Sequence, residues 1–129
     1  MTLSGKRVLV AEDEMLVALI LEDALLRQNC TVIGPTGTLA ETVAAARTLP
    51  LDAAILDRNL HGEDVLPAAE ILTRRGIPLL FCSGYGQDSA LPAHLRTVPV
   101  LLKPYLEASV IAAICGLFSA PAQPVVPPT

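Results

Sequence analysis

Short apolar runs alternate with longer amphipathic stretches along the chain, a pattern typical of strands that alternate with helices. Five of the apolar runs predict buried strands, at residues 8–11, 31–35, 51–56, 77–82 and 98–102. Gly34 and Pro35 are expected to end the second strand, because both residues interrupt regular pairing. Runs that are apolar throughout favour a parallel sheet covered on both faces.

The stretches between these runs predict helices at residues 16–28, 38–48, 66–75 and 106–118. Thr38 followed by Glu41 has the spacing of a capping box at the start of the second helix. Residues 88–96 contain Pro92 and predict only a short or distorted element.

Two of the helices carry an apolar stripe at helical spacing, which we expect to pack against the sheet. The first stripe consists of Val17, Ile20, Leu21, Ala24 and Leu25, and the last consists of Leu106, Val110, Ala113, Ile114 and Leu117.

Repeated strand–helix units with short connections predict right-handed crossovers and helices on both faces of one sheet. The predicted fold class is α/β, a doubly wound parallel sheet of about five strands in the order 2-1-3-4-5. In such a sheet ligands bind at the carboxyl ends of the strands, in the crevice between strands one and three.

Length and composition indicate one domain. The chain has 129 residues, and 52% of them are hydrophobic although only 3% are aromatic. Residues 1–119 contain every predicted element, whereas residues 120–129 contain four prolines and no charge and are expected to form a flexible tail.

Charge and hydropathy exclude several classes of protein. A net charge of −4 without a basic cluster argues against unaided binding to nucleic acid. The longest apolar run, residues 15–21, is too short to cross a bilayer, and the start of the chain does not resemble a leader peptide. We therefore expect a cytoplasmic protein without membrane contact, in which Cys30, Cys82 and Cys115 are reduced thiols.

Charged and polar residues follow four of the predicted strands. Glu12 and Asp13 follow the first, Asp57 the third, Ser83 the fourth and Lys103 the fifth. Each alone could be a helix-terminal or turn residue, but together they would share one edge of the sheet. Carboxylates that lie close together raise each other's proton affinity unless a cation neutralises them. Because all the ligand atoms would be oxygen, which suits a hard ion, the cluster predicts a Mg²⁺ site there.

The same residues suit phosphoryl transfer. Asp57 is the candidate nucleophile, since a carboxylate can form an aspartyl phosphate. Lys103 would supply a point charge for phosphoryl oxygens and Ser83 a hydroxyl donor. The backbone carbonyl of Asn59 could complete the set of metal ligands formed by Glu12, Asp13 and Asp57.

Four segments resemble the receiver domain of two-component response regulators, in the same order and over residues from about 5 to 119. They are Val8–Glu14 (VLVAEDE), Leu56–Glu63 (LDRNLHGE), Phe81–Gly86 (FCSGYG) and Leu102–Pro104 (LKP). The resemblance implies a flavodoxin-like, CheY-like fold in which Asp57 accepts a phosphoryl group from a histidine kinase or a histidine phosphotransfer protein.

The resemblance also implies roles for the other site residues. Glu12, Asp13, Asp57 and the Asn59 carbonyl would hold Mg²⁺, while Ser83 would be the switch hydroxyl and Lys103 would contact the phosphate. Catalysis would be limited to autophosphorylation and autodephosphorylation, so the protein is expected to be a switch and not a metabolic enzyme.

Among the departures from the family pattern, Val100 bears most directly on activation. Val100 stands three residues before the lysine, where conventional receivers have an aromatic residue that moves inward on activation. With Gly84 after the switch hydroxyl, this resembles stand-alone receivers with a Phe-Ala-Thr-Gly-type motif, which are common partners of HWE-type histidine kinases. Such a regulator would signal through protein contacts or act as a phosphate sink.

Two alternatives remain open from the sequence. A degenerate receiver would bind a protein partner without being phosphorylated. An aspartate-nucleophile phosphohydrolase would use the same acid, lysine, hydroxyl and Mg²⁺, although here the nucleophile follows strand three and the chain has no room for a cap domain.

Overall fold

A five-stranded parallel sheet forms the centre of the computed structural model, which describes residues 3–84 and 91–119. The strands are β1 (Arg7–Ala11), β2 (Thr31–Thr36), β3 (Ala53–Asp57), β4 (Leu79–Ser83) and β5 (Val100–Leu102). Their order is β2-β1-β3-β4-β5, which confirms the predicted fold class and strand order.

Helices connect the strands. They are α1 (Met15–Arg27), α2 (Leu39–Thr48), α3 (Leu66–Arg74) and α4 (Glu107–Ser119). Between β4 and β5, Ala93–Leu95 forms a single 3₁₀ turn, as expected for the proline-containing segment. Residues 88–90 of that segment, and the predicted tail at residues 120–129, lie outside the described residues. None of the helices in the described ranges has the length and hydropathy needed to span a bilayer.

Alternate residues of the central strands face two separate cores. On one side Leu56 and Phe81 pack with residues of α2 and α3, and on the other side Ile55 and Leu80 pack with residues of α1 and α4. All four of these side chains have no exposed surface. This burial on both faces is why the strands read as continuous apolar runs.

The predicted helix stripes are correct only in part. Leu21, Ala24 and Leu25 of α1 are buried, but Ile20 is 44% exposed, whereas Ala18, which was not part of the predicted stripe, is buried. Because α1 is apolar around most of its circumference, spacing alone does not identify the packed face. Leu106 is 75% exposed, since it precedes the first residue of α4.

Strand β2 continues past the predicted end at Gly34 and Pro35. Leu9 pairs with Ile33 and Ala11 pairs with Thr36, so β2 contains one more residue than β1 over this interval. A Cβ on Gly34, whose φ is +103°, would lie 2.8 Å from a backbone oxygen of β1, so glycine permits this bulge. Pro35 is tolerated because β2 lies at the edge of the sheet.

The start of α2 shows the predicted cap in a modified form. The Thr38 side chain accepts a hydrogen bond from the Glu41 backbone N–H at 3.1 Å, as expected. The Glu41 carboxylate accepts from the Gly37 N–H, also at 3.1 Å, and not from the N–H of Thr38. In a standard capping box the glutamate accepts from the N–H of the cap residue, Thr38. Here it accepts from the residue before the cap.

We expect Thr38→Ala to lower the free energy of unfolding by about 1 kcal/mol, because it removes the acceptor for one N–H group of the first turn of α2. Urea denaturation measures the change. Thr48→Ala is the matched control, since Thr48 is an exposed residue at the other end of the same helix. Equal effects of the two substitutions would contradict a capping role for Thr38.

Candidate functional site

The carboxyl edge of the sheet brings together the polar residues predicted from the strand ends. Asp57 and Ser83 are the last residues of β3 and β4, Glu12 and Asp13 follow β1, and Lys103 follows β5. Because the strands are parallel, all of these ends point the same way, and β1 and β3 are direct neighbours.

Three carboxylates form a tight cluster at this edge. Glu12, Asp13 and Asp57 each offer an oxygen atom, and these atoms lie within 4.8 Å of one another. Glu12 and Asp57 are each only 3% exposed, whereas Asp13 is half-buried. The arrangement concentrates negative charge in a place where water screens it poorly.

Lys103 bridges the cluster. Its Nζ lies 2.8 Å from Oδ2 of Asp57 and 3.1 Å from Oε1 of Glu12. It also lies 3.4 Å from Oε1 of Glu14, a contact that the strand-end argument did not include. Glu14 could have been predicted from the sequence, because it continues the run of acidic residues that begins at Glu12.

Backbone donors from the loop after β3 orient two of the carboxylates. The Asn59 N–H donates to Oδ1 of Asp57 at 3.0 Å, and the His61 N–H donates to Oδ2 of Asp13 at 2.9 Å. His61 has a φ of +50° and Gly62 a φ of +84°, so the chain turns sharply here. His61 is not among the residues that the sequence predicted for the site, although its backbone N–H contributes to it.

The two remaining predicted site residues also lie at the edge. The amide oxygen of Asn59 accepts from the Gly62 N–H at 2.7 Å, so the side chain faces its own loop. Ser83 is 4% exposed, and its hydroxyl donates to the Gly84 carbonyl at 3.2 Å. The ligand role predicted for the Asn59 carbonyl stays a prediction.

Burial and neighbouring charges shift the pKa values of Glu12 and Lys103. Burial, a hydrogen bond with Asp57 and repulsion from Asp57 raise the pKa of Glu12 to about 8, although the Glu14 N–H and Lys103 oppose the shift. Burial by itself would lower the pKa of Lys103, but its hydrogen bond with Asp57 and the attraction of Asp57 and Glu12 raise it. Lys103 therefore stays charged, and the cluster favours an additional cation or a proton.

Two buried residues close to the site, Tyr105 and Cys82, belong to the hydrophobic core. Tyr105 is only 8% exposed, because it packs in the core with residues of α1 and α4. Burial raises the pKa of Cys82 to about 12 and also raises the pKa of Tyr105. Cys30, Cys82 and Cys115 are free thiols, as predicted, and Tyr85 lies outside the described residues.

Val100 is the first residue of β5. It is 49% exposed and lies next to Phe81 in the register of β4. The side chain at this position is therefore aliphatic, where the family resemblance would predict an aromatic residue.

We expect Glu12 to make the metal-free protein less stable as the pH rises from 4.5, its ordinary pKa, to about 8. In this window the folded state keeps a proton that the unfolded chain has lost, so each rise in pH favours unfolding. Glu12→Gln should remove this decline. Urea denaturation at several pH values in the presence of a chelator measures it, and an unchanged slope would contradict the assignment.

Glu22→Gln provides the control for that experiment. Glu22 lies on α1, away from the three clustered acids, so its substitution shows what the change from carboxyl to amide does by itself.

Comparison with known proteins identifies the family. SdrG from Sphingomonas melonis Fr1 is 39% identical, with 92% of this chain and 99% of that chain covered and a TM-score of 0.76. The BeF3-activated conformation of SdrG from Pseudomonas melonis Fr1 is 37% identical, over 88% and 97% of the two chains, with a TM-score of 0.71. No protein-family model matches the chain.

Two more distant relatives are longer proteins. The transcriptional regulatory protein PdtaR of Mycobacterium tuberculosis is 29% identical over 112 residues, which are 84% of this chain and 55% of PdtaR, so the chain spans about half the length of this relative. The response regulator PhyR from Brucella abortus is 27% identical, over 91% of this chain and 49% of that chain, with a TM-score of 0.73. The chain belongs to the CheY-like receiver domains of two-component response regulators.

Proposed function

We propose that this receiver domain is a phosphorylation-controlled switch in which Asp57 accepts a phosphoryl group in a Mg²⁺-dependent reaction. The observation that carries the proposal is the gathering of three carboxylates around one bridging lysine, with Nζ of Lys103 2.8 Å from Asp57. Phosphoryl transfer depends mainly on positioning and on neutralisation of charge, and this site has the groups for both.

The donor set fits Mg²⁺. All the candidate ligands are oxygen atoms, and Glu12 and Asp57 are almost fully buried acids whose charged form a cation would stabilise. Glu12, Asp13 and Asp57 would hold the ion, together with the backbone carbonyl of Asn59. When bound, the ion would neutralise negative charge on the phosphoryl oxygens.

The protein's own groups would then perform the transfer. A carboxylate oxygen of Asp57 attacks the phosphorus atom of a phosphohistidine, the P–O bond forms, and the P–N bond breaks as the imidazole leaves and takes up a proton. Lys103 would stabilise the phosphoryl oxygens by charge and Ser83 by a hydroxyl hydrogen bond. Attack by water would later regenerate the carboxylate and release inorganic phosphate.

Such a domain acts as a switch and not as a metabolic enzyme. A histidine kinase or a histidine phosphotransfer protein would supply the phosphoryl group, and the motif around Ser83 favours an HWE-type kinase. The match to nearly the full length of the solved SdrG chain supports a single-domain regulator that works through protein contacts or as a phosphate sink. The net charge of −4 agrees with a protein partner and not a nucleic acid.

We expect Asp57→Asn to abolish phosphoryl incorporation from acetyl phosphate and Mg²⁺, because the substitution removes the nucleophile. Intact-mass spectrometry counts the phosphoryl groups. Asp52→Asn is a matched control near the opposite end of β3, where the Asp52 carboxylate accepts a hydrogen bond from the Arg7 N–H. Continued labelling of Asp57→Asn would reject Asp57 as the acceptor.

We expect Lys103→Met to strengthen Mg²⁺ binding while it slows phosphoryl incorporation. Lys103 competes with the ion for the same carboxylates, and two charges about 4 Å apart near a protein surface interact by roughly 4 kcal/mol, so a gain in affinity of at least about tenfold is reasonable. NMR titration measures affinity and mass spectrometry measures labelling.

Lys103→Arg is the control, since it keeps the positive charge. If affinity and labelling both fell in Lys103→Met, the lysine would be needed to hold the site together and would not be a competitor of the ion.

A further inference from the structure

Arg58, the residue after the candidate acceptor, carries a buried charge. The residue is 8% exposed. Its Nη2 lies 3.1 Å from Oδ2 of Asp64, and its guanidinium carbon lies 5.6 Å from the centre of the Phe81 ring. The end of β3, the segment before α3 and the strand β4 therefore meet at this side chain.

The ion pair between Arg58 and Asp64 is expected to add little to stability. Burial of a guanidinium costs free energy, and the side chain of its partner Asp64 is 44% exposed, so solvent screens the attraction between the two charges. A methionine would fill the space over Phe81 without that cost and would keep a favourable contact with the ring. The ion pair with Asp64 is therefore weak evidence for a role of Arg58 in stability.

The ion pair lies at the base of the segment between β3 and α3, beside the hydrogen bond that the Val65 N–H donates to the Arg58 carbonyl at 3.1 Å. Residues 59–64 form a short antiparallel hairpin, in which Asn59 pairs with Asp64. Oδ2 of Asp64 binds Arg58, while Oδ1 accepts the Leu66 N–H at 3.2 Å in the first turn of α3. The Asp64 carboxylate therefore connects the hairpin to the end of β3 through Arg58 and to the start of α3 through Leu66.

This hairpin supplies the backbone donors of the site. The N–H groups of Asn59 and His61 reach the carboxylates of Asp57 and Asp13 at 3.0 and 2.9 Å. Both donors lie between the two ends that Arg58 and Asp64 hold together. A change in the closure of the hairpin would move them relative to the carboxylates.

We propose that Arg58 is a positioning residue for the acceptor site. Its ion pair with Asp64 and its contact with Phe81 fix the hairpin, so that the backbone of Asn59 and His61 orients the carboxylates that receive the metal ion and the phosphoryl group. This inference rests on the proposed function at Asp57, and it adds that the site depends on a charge that does not touch the reacting atoms.

The decisive variant is Arg58→Met. We expect its stability in urea to equal or exceed that of the unmodified protein, whereas the Mg²⁺ concentration for half-maximal labelling by acetyl phosphate should rise roughly tenfold, as for the loss of an outer partner of a metal ligand. Mg²⁺ titration by NMR, without a phosphodonor, should show the same weakening. Arg74→Met, an exposed position on α3, is the matched control.

Two further variants separate charge from packing. Asp64→Asn keeps an acceptor for the Leu66 N–H but removes the negative charge that Asp64 places beside Arg58, so it should weaken Mg²⁺ binding and also lower stability. Arg58→Lys should restore part of the affinity, because a lysine keeps the charge but not the planar fork. The Arg58→Met/Asp64→Asn double variant should match Arg58→Met in Mg²⁺ affinity, since both changes break one interaction.

Two results would overturn the inference. Arg58→Met could bind Mg²⁺ as tightly as the unmodified protein, or it could lose stability and labelling together, which would make Arg58 a packing residue. An unmodified protein that takes up no phosphoryl group at Asp57 would instead overturn the proposed function, and the Mg²⁺ titration would still decide the role of Arg58.

Discussion

Repulsion among three carboxylates, opposed by one lysine, is the interaction on which the site depends. Two of the acids have almost no exposed surface, so water does little to weaken their repulsion. Lys103 neutralises part of the charge, and backbone N–H groups satisfy individual oxygen atoms. Burial is the largest cause of the raised pKa of Glu12, and repulsion from Asp57 adds to it. Because its charged groups are buried and close together, the site is expected to respond strongly to an added proton or cation.

The sheet holds this unfavourable cluster in place. β1 and β3 are adjacent central strands whose residues Val8–Ala11 and Ala53–Leu56 are fully buried. The free energy gained by burying these residues is what allows the charged residues at their carboxyl ends to be held close together. The hydrophobic strands and the acidic site are therefore parts of one arrangement, in which the core offsets the cost of the site.

Much of the architecture follows from the sequence, because continuous apolar runs with charged ends have few interpretations. The strand order and the shared edge of Asp57, Ser83 and Lys103 follow from that pattern. The exposure of Ile20 and Leu106 and the burial of Tyr105 do not, since an unusually apolar chain offers more hydrophobic surface than the sheet can cover. Backbone donors from the hairpin were also missed, because a hydrogen bond from a main-chain N–H leaves no mark on residue type.

The separation of the core into two sides has a consequence for how the sequence can vary. Ile55 and Leu80 contact one layer of helices, while their neighbours Leu56 and Phe81 contact the other. A larger side chain at Leu56 has to be accommodated by smaller ones in α2 or α3, and one at Ile55 by changes in α1 or α4. Compensating substitutions should therefore pair within a layer, and each layer can diverge independently while the acidic edge between them is preserved.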